Sequence, residues 1–500
     1  MGGTSETKEN SPAVYIGVSG PETPKFLLAN NFLSEFFITK KEEQTKQYSY
    51  DYFYQAGVFQ CEEGDEQKKK QLAESFDTFF QRFAGEDLIK SNYEGKHFYF
   101  PIKPWMLRGA GYRLRHLLYH MIPGIEQEKK YRRLQEQLFQ YLYGRNEGVS
   151  YLLSAMCEKA FQREYKKKAG KKSEEFEMLK KSHYKKVCNN FEADLNKLLT
   201  HEFFLNLDFY KRYDYLATLL NSYVIQFIVN KVSGANRGKM LCQGSATSHL
   251  LDGGAYHRAC VQNYADIRAV FQKELKKFYI QRLETEVGKD GKIKLLTRQE
   301  DIQVISKGHE ELFDKFVLRI FNSKYSKKDS LYQSVRKAFG IPKEGQMGEY
   351  TVDEFVMYYI DVSKAGGGNV LTKISSTLPT CGKDIDFIFP KSSSKHKFFA
   401  MSPSLLEFYV RMYLAKEDRT YAYLDNFLLY LQERYGICIQ KTEQMDQILK
   451  KMHIKVPFQE FRQNEQALLD NLDEINCLIR LSDSGYVVTL PEEKGEFTLL

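Results

Sequence analysis

Two aspartates in the last third of the chain could bind a metal ion. Asp384 and Asp386 alternate within DIDFIFP (384–390), which we predict to be a short strand, and Lys391 follows. Two carboxylates and a lysine around a metal are the pattern of one class of nucleases. In that class the lysine comes two residues after the second acid, whereas here it comes five residues after Asp386 and Pro390 intervenes. A metal-dependent nuclease therefore remains an alternative interpretation.

Cysteine and histidine, the ligands that zinc prefers, occur together in a glycine-rich segment, 233–258, and just after it. They are Cys242, His249, His257 and Cys260. Their intervals match no zinc module, and no CxxC pair occurs anywhere in the chain. The GxxxxGK[ST] and GxSxG patterns are absent as well. We therefore predict no catalytic residue, no metal ligand and no cofactor.

Lysines concentrate in two places that could contact phosphate groups of nucleic acid. One is KSSSKH (391–396), the tip between two predicted strands, and the other is a predicted helix within 159–186. Contacts of this kind position a protein on DNA without reading its sequence. Solvated lysines on an ordinary turn and on a helix face are the alternative. The predicted contacts are Lys383, Lys391, Lys395, His396 and Lys397 at the tip, and Lys166, Lys167, Lys168, Lys171 and Lys172 on the helix.

The elements that must position these residues are mainly α-helices. Apolar residues recur at helical spacing, as at Leu134, Leu138, Tyr141 and Leu142. This pattern predicts a mainly α, multidomain helical protein with small β-hairpins and C-terminal winged-helix-like units. The predicted segments are a mixed α/β segment 1–105, a helical domain 106–232, a glycine-rich loop 233–258, a helical domain 259–365, a helix with a β-hairpin 366–416, and a winged-helix-like domain 417–500.

The C-terminal region has the clearest order of elements. Strands at 384–390 and 397–401 predict a hairpin, and Ser402 followed by Pro403 predicts the start of a helix. Helices at 421–435, 443–452 and 458–477, followed by a hairpin at 478–490, are the order of a winged helix. Such units bind DNA or other proteins. The longest of these helices holds five acids and one base, Arg462, which favours protein docking over phosphate contact.

Composition excludes two broad classes. The 500 residues are 42% hydrophobic and 28% charged, with a net charge of +8, so the chain can fill cores and is not disordered by composition. No apolar run is long enough for a membrane-spanning helix, and the N-terminus lacks the pattern of a signal peptide. The eight cysteines mostly stand in apolar stretches. We therefore expect a cytoplasmic protein with reduced thiols and no membrane partner.

One region resembles a known group of proteins. It runs from GGGNVLTKISSTLPTCGKDIDFIFPK through KFFAMSPSLLEFYVRMYLA and FLLYLQERYGICI, from 366 to roughly 490. In element order and texture it resembles large accessory proteins of prokaryotic anti-phage defence systems, which are encoded beside ATPases and DNA-modification or restriction enzymes. Methylation-associated and phosphorothioation-dependent systems both remain open. The resemblance implies a non-catalytic subunit that works within an assembly, and it assigns no site residues.

Together these observations predict a non-enzymatic adaptor or DNA-contacting subunit of a multi-protein defence complex. Its partners would be other defence proteins, such as an ATPase or a DNA-modifying enzyme, and double-stranded DNA bound through phosphate contacts. The alternatives are the metal-dependent nuclease, with Asp384 and Asp386 as ligands, and a purely structural scaffold without affinity for nucleic acid.

Overall fold

The computed structural model describes residues 112–144, 184–232, 238–246, 253–288, 376–392, 396–482 and 485–494, with isolated positions between Leu28 and Ser75. These residues are mainly α-helical, as predicted. The chain divides into two compact units: Thr23–Ile267 with Leu378–Leu500, and Met1–Glu22 with Arg268–Thr377. In the second unit, the described residues are the helical stretch 268–288 and the pair 376–377. All other elements belong to the first unit.

Between residues 112 and 232 the described chain forms five helices. Apolar side chains at helical spacing bury one face of each, as Val187, Phe191 and Leu195 do in the third. No helix in the described ranges combines the length and the apolar character needed to cross a bilayer. The five helices are α1 (Tyr112–His120), α2 (Glu128–Tyr143), α3 (Tyr184–Thr200), α4 (Glu202–Leu205) and α5 (Phe209–Val232).

A strand lies where the sequence pattern predicts a glycine-rich loop. β1 (Met240–Gln243) is buried at all four positions, and α6 (Ala255–Gly288) begins before the predicted loop ends. A strand buried on both faces shows no alternation of polar and apolar residues. The glycines on either side of it, at 238 and 244, are also typical of a loop. The prediction of loop throughout 233–258 is corrected accordingly.

β1 is an inner strand of a four-stranded sheet with the order β2-β3-β1-β5. β1 pairs in parallel with β3 (Phe398–Ala400) and β5 (Ile437–Cys438), with Cys242 opposite Phe399 and Met240 opposite Ile437. β2 (Ile388–Phe389) pairs antiparallel with β3, so the predicted hairpin exists. Its first strand is shorter than predicted, because α7 (Thr377–Asp384) and a turn occupy the preceding residues.

The remaining elements follow the hairpin. α8 (Pro403–Glu417) is capped as predicted, because Ser402 Oγ accepts a hydrogen bond from Leu405 N at 3.3 Å. Residues 421–423 were predicted to be helical but form an extended strand, since helix begins only at Leu424. The elements are β4 (Tyr421–Tyr423), α9 (Leu424–Tyr430), a π-helical turn (Leu431–Tyr435), α10 (Glu443–Lys451), α11 (Phe458–Glu474), β6 (Leu478–Arg480) and β7 (Tyr486–Thr489). β4, β7 and β6 form an antiparallel sheet in that order.

Two asparagines of α11 join the carboxyl ends of the parallel strands. Asn464 Oδ1 accepts from Gly244 N at 2.8 Å, and its Nδ2 donates to Ile439 O at 3.1 Å. Asn471 Nδ2 donates to Gly244 O at 3.2 Å and to Met401 O at 3.1 Å. Both side chains are buried, so these hydrogen bonds replace lost water and fix α11 against the sheet.

The same close approach explains the glycine at position 244. A Cβ added there would lie 2.7 Å from Leu468 N, on the backbone of α11. Real side chains do not tolerate such a contact with backbone, so the residue that follows β1 has to lack a side chain. Gly244, which in the sequence looks like part of a loop, is therefore required by the packing of α11 against β1.

A buried carboxylate fixes α3 to the π-helical turn. Asp194 accepts hydrogen bonds from Arg434 Nη2 at 2.5 Å, Tyr223 Oη at 2.5 Å and Tyr435 Oη at 2.7 Å. Arg434 also donates to Asn190 through Nη1 and Nη2. Burial, and then the charge of Asp194, raises the pKa of Tyr223 and of Tyr435, so both hydroxyls remain protonated donors. The network thus gives the buried carboxylate a guanidinium and two hydroxyl donors in place of water.

Candidate functional site

The β2–β3 hairpin holds the first group of predicted phosphate contacts, but one of them serves the hairpin itself. Lys397 is only 7% exposed. Its ammonium donates to the carbonyls of Pro390 at 2.6 Å and Ser392 at 2.7 Å, which closes the turn. Because an ammonium has three protons, two of them are committed to backbone. Lys397 therefore lies inside the tip and not on its outer surface.

Of the other residues of this group, the three that the structure describes are exposed or partly exposed. Lys391 forms an ion pair with Asp386, and both side chains are substantially exposed. Such pairs are weak in water, so an incoming phosphate could compete for the lysine. His396 is exposed, and Lys383 lies partly exposed in the last turn of α7. Lys395 lies outside the described residues.

The second group of predicted contacts cannot be placed on a surface. Lys166, Lys167, Lys168, Lys171 and Lys172 all lie outside the described residues. The helix that begins at Tyr184, just after this stretch, does expose Lys185 and Lys186. The proposed contact through the five lysines stays a prediction.

The aspartates of the nuclease alternative do not lie on a strand. Asp384 is the last residue of α7, and Asp386 stands in a turn with a φ of 56° before β2 begins at Ile388. The prediction of two alternating carboxylates on one strand was therefore wrong, because α7 extends to Asp384 and a turn follows it. Within the described ranges, no three His, Cys, Asp or Glu side chains converge as a metal site would require.

The cysteines near the glycine-rich segment belong to a hydrophobic core. Cys242, Cys260 and Cys438 are fully buried, and Tyr256 Oη donates to Cys242 O at 2.9 Å. Burial raises the pKa of Cys438 to about 11, and it raises the pKa of Cys242 well above its ordinary value. His257 Nδ1 lies 2.8 Å from Gln243 Nε2, within hydrogen-bonding distance. His249 lies outside the described residues.

The exposed face of α11 is acidic, as its sequence predicts. The helix buries Asn464, Leu468 and Leu472 against the rest of the fold, and it exposes Asp470 and Asp473. Lys494 pairs with Asp473 at 2.9 Å and, with Arg480 adding to the effect, lowers the pKa of that carboxyl. In a winged helix this helix would contact DNA, but the exposed carboxylates of α11 would repel the phosphates.

Exposed aromatic side chains lie on the small antiparallel sheet. Tyr421 and Tyr423 on β4 are 50% and 62% exposed, and Leu429 on α9 is 49% exposed. Asn426 lies one turn before Leu429 and so on the same face of α9. We call Tyr421, Tyr423, Asn426 and Leu429 the tyrosine surface. Large apolar groups in water are costly and mark sites of interaction when they cluster.

A pocket of about 230 Å³ opens beside the tyrosine surface. Val487 and Ile479, from the neighbouring strands β7 and β6, contribute apolar side chains to its lining. Glu417 and Arg419, at the end of α8, supply one charge of each sign at its edge. The pocket could therefore accept an apolar side chain from a partner and orient the polar groups beside it.

The strand that carries the two tyrosines could have been predicted from the sequence. Tyr-Ala-Tyr at 421–423 alternates a large aromatic residue with a small one, which is typical of a strand. It precedes an unbroken helical pattern, so the whole stretch 421–435 was predicted to be helix.

Comparisons of this chain with protein-family models, curated proteins and solved structures found no match.

Proposed function

We propose that this chain is a non-enzymatic adaptor subunit of a multi-protein prokaryotic anti-phage defence complex in the cytoplasm. It would bind other defence proteins, such as an ATPase or a DNA-modifying enzyme, and contact double-stranded DNA through phosphate groups. The tyrosine surface is the observation that carries the adaptor role. The assignment to defence is supported by the resemblance of the region from 366 to roughly 490.

The chemistry of the tyrosine surface favours a protein partner. Tyrosine is enriched at the centres of protein interfaces, because it buries a large apolar area and retains a hydroxyl for hydrogen bonding. Tyr423 is 62% exposed beside the apolar lining of the pocket, so a partner side chain entering the pocket would also cover the ring. We propose an apolar segment of a partner subunit as the occupant.

The arrangement of the last elements supports a winged-helix-like unit that docks proteins. In a winged helix, a strand that follows the first helix pairs with the second strand of the final hairpin. Here β4 follows α8 and pairs with β7, which pairs with β6. β5 and α10 lie between α9 and α11, so the unit carries an insertion. The acidic surface of α11 favours protein contact over DNA contact for this unit.

DNA contact is proposed for the hairpin tip instead. Lys391 and His396 are exposed beside the turn that Lys397 holds, Lys395 precedes His396 in the sequence, and Lys383 lies on the preceding helix. Because Lys397 is occupied by carbonyls, we omit it from the proposed contacts. Lys166, Lys167, Lys168, Lys171 and Lys172 would add to the contact. Binding of this type depends on counterion release and so weakens steeply with salt.

The adaptor role is tested by isolating the tagged chain from its host and identifying the bound subunits by mass spectrometry. We expect defined partners encoded beside this chain, and we expect Tyr421→Ser with Tyr423→Ser to release them. Phe458→Ser is the matched control, because Phe458 is also 62% exposed but lies on α11. Retention of the same partners by the double variant would refute the role of this surface.

The DNA contact is tested with a labelled duplex at two salt concentrations. We expect measurable binding at low salt, a large loss at high salt, and weaker binding by Lys391→Ala. Lys441→Ala, a lysine on a different part of the unit, is the control. An affinity too weak to measure even at low salt would favour the pure scaffold. Cleavage of the duplex with magnesium or manganese, abolished by Asp386→Ala, would favour the nuclease.

A further inference from the structure

A cleft lies between α2 and α3, far along the chain from the tyrosine surface. Its volume is about 290 Å³, and buried apolar side chains, Ile122, Leu134 and Leu195, form its floor. Gln127, Gln137 and Asn196 add carboxamide groups at the wall. The volume of the cleft is near the lower limit for small-ligand sites. It could hold one nucleotide but not a folded partner.

The charges around this cleft are mostly positive. Lys129, Lys130 and Arg133 line it, against one carboxylate, Glu192. Lys130 pairs with Glu192 and also donates to the carbonyl of Pro123. Lys129 and Arg133 form no ion pair or hydrogen bond within the described part of the chain. Among the described residues, these two cations at the mouth of the cleft therefore have no paired carboxylate.

Sequence order explains why the cations converge. The segment EKKYRRLQEQ places Lys129 and Arg133 four residues apart, on one face of α2. Arg132 points elsewhere, because it pairs with Glu128 at 3.5 Å on another side of the helix and does not line the cleft. The first turn of α2 also lies at the cleft, where the helix dipole adds positive potential.

The geometry points to a binding site for the phosphate group of a nucleotide-sized ligand in this cleft. Arg133 and Lys129 would hold the phosphate, since a guanidinium donates two parallel hydrogen bonds to it and an ammonium supplies a point charge. The sugar or base would lie on the apolar floor, and the carboxamides would donate to its oxygens. The ligand is a free nucleotide or one nucleotide of a single strand. This site is independent of the proposed adaptor role.

Calorimetric titration of the full chain at low salt tests the site, with thymidine monophosphate, thymidine, inorganic phosphate and a short oligothymidylate as probes. We expect the monophosphate to bind and thymidine to bind at least roughly tenfold more weakly, since charged hydrogen bonds of the phosphate are lost. Inorganic phosphate should compete with the monophosphate. Tighter binding of the oligothymidylate would identify a single strand as the source, and equal or weaker binding would identify the free nucleotide.

Two variants separate the cleft from general surface charge. Lys129→Ala with Arg133→Ala should weaken binding of the monophosphate roughly tenfold or more, whereas Arg132→Ala should change it less than about twofold. Both positions are exposed, so thermal unfolding should be unchanged. Equal losses in the two variants, or no binding of any phosphate probe by the wild type, would overturn the site. If the double variant misfolds, methyl NMR shifts of Leu134 and Leu195 on adding monophosphate to the wild-type chain decide the question.

Discussion

The contact between Arg434 and Asp194 permits a quantitative test of what holds α3 to the π-helical turn. The Asp194 side chain is 4% exposed and that of Arg434 is 17% exposed, so the ion pair is largely removed from water. Removing one partner of a buried pair leaves an uncompensated charge, which typically costs about 3–5 kcal/mol. Tyr223 and Tyr435 still donate to Asp194 after the change. We therefore expect Arg434→Met to destabilise the fold by about 3 kcal/mol.

A second substitution separates the charge from the packing. Asp194→Asn removes the stranded charge, so the double variant with Arg434→Met should be less destabilised than the sum of the two single variants. We expect a coupling of about 1–3 kcal/mol, as for groups in one hydrogen-bond network. Arg462→Met is the matched control, because Arg462 is exposed on α11, where its guanidinium lies over the ring of Phe458. It should cost less than about 1 kcal/mol.

The assay has to resolve one region, because a chain with two compact units need not unfold in a single step. Hydrogen exchange of peptides covering Tyr184–Thr200 and Leu431–Tyr435 measures the local free energy of opening, and urea unfolding followed by circular dichroism supplies the global midpoint. If Arg434→Met changes the protection of both peptides by less than about 1 kcal/mol, or if the two substitutions are additive, the network does not hold these elements together.

Three further predictions follow from buried groups. Burial alone would raise the pKa of Glu407, but Lys211 at 2.8 Å, together with Tyr215 and Arg411, outweighs burial, and the pKa is lowered from 4.5. The carboxylate thus stabilises the fold above pH 4.5 and loses this effect as the pH falls through the lowered pKa. The difference in urea midpoint between wild type and Glu407→Gln should therefore be largest at neutral pH and vanish in acid. Gly244→Ala should cost about 2 kcal/mol or more in unfolding free energy, since its Cβ would meet the α11 backbone, whereas Gly253→Ala, with open space around it, tests only backbone strain. Iodoacetamide at pH 8 should label none of six thiols in the native chain and all of them after denaturation, as peptide mass spectrometry would show; they are Cys188, Cys242, Cys260, Cys381, Cys438 and Cys477. Native labelling of any one of the six would contradict the burial that we describe.

Helices were predictable from the sequence because burial on one face leaves a regular spacing of apolar residues. The cap at Ser402 and the hairpin around the lysine tip were predictable for similar local reasons. β1 was not, since a short strand buried on every side has no local pattern and is defined by partners that are distant in the chain. Its pairing depends on tertiary contacts that no window of sequence contains.

The candidate sites show the same division. Lysines at 391 and 397 look equivalent in the sequence, yet one lies at the surface and the other binds the carbonyls of its own turn. The charge of Lys129 and Arg133 was visible as composition, but the cleft beneath them depends on α3, which follows much later in the chain. Residue type was thus readable from the sequence, whereas the environment of each residue required the fold.

The central position of β1 has a consequence for synthesis on the ribosome. Its two parallel neighbours, β3 and β5, are encoded far downstream, at Phe398–Ala400 and Ile437–Cys438. Translation at roughly 5–20 residues per second would leave the apolar β1 segment without either neighbour for about 8–30 s, and without β5 for about 10–40 s. During that interval the nascent chain would present an unpaired hydrophobic strand to solvent, and binding by a holdase chaperone would protect it against aggregation.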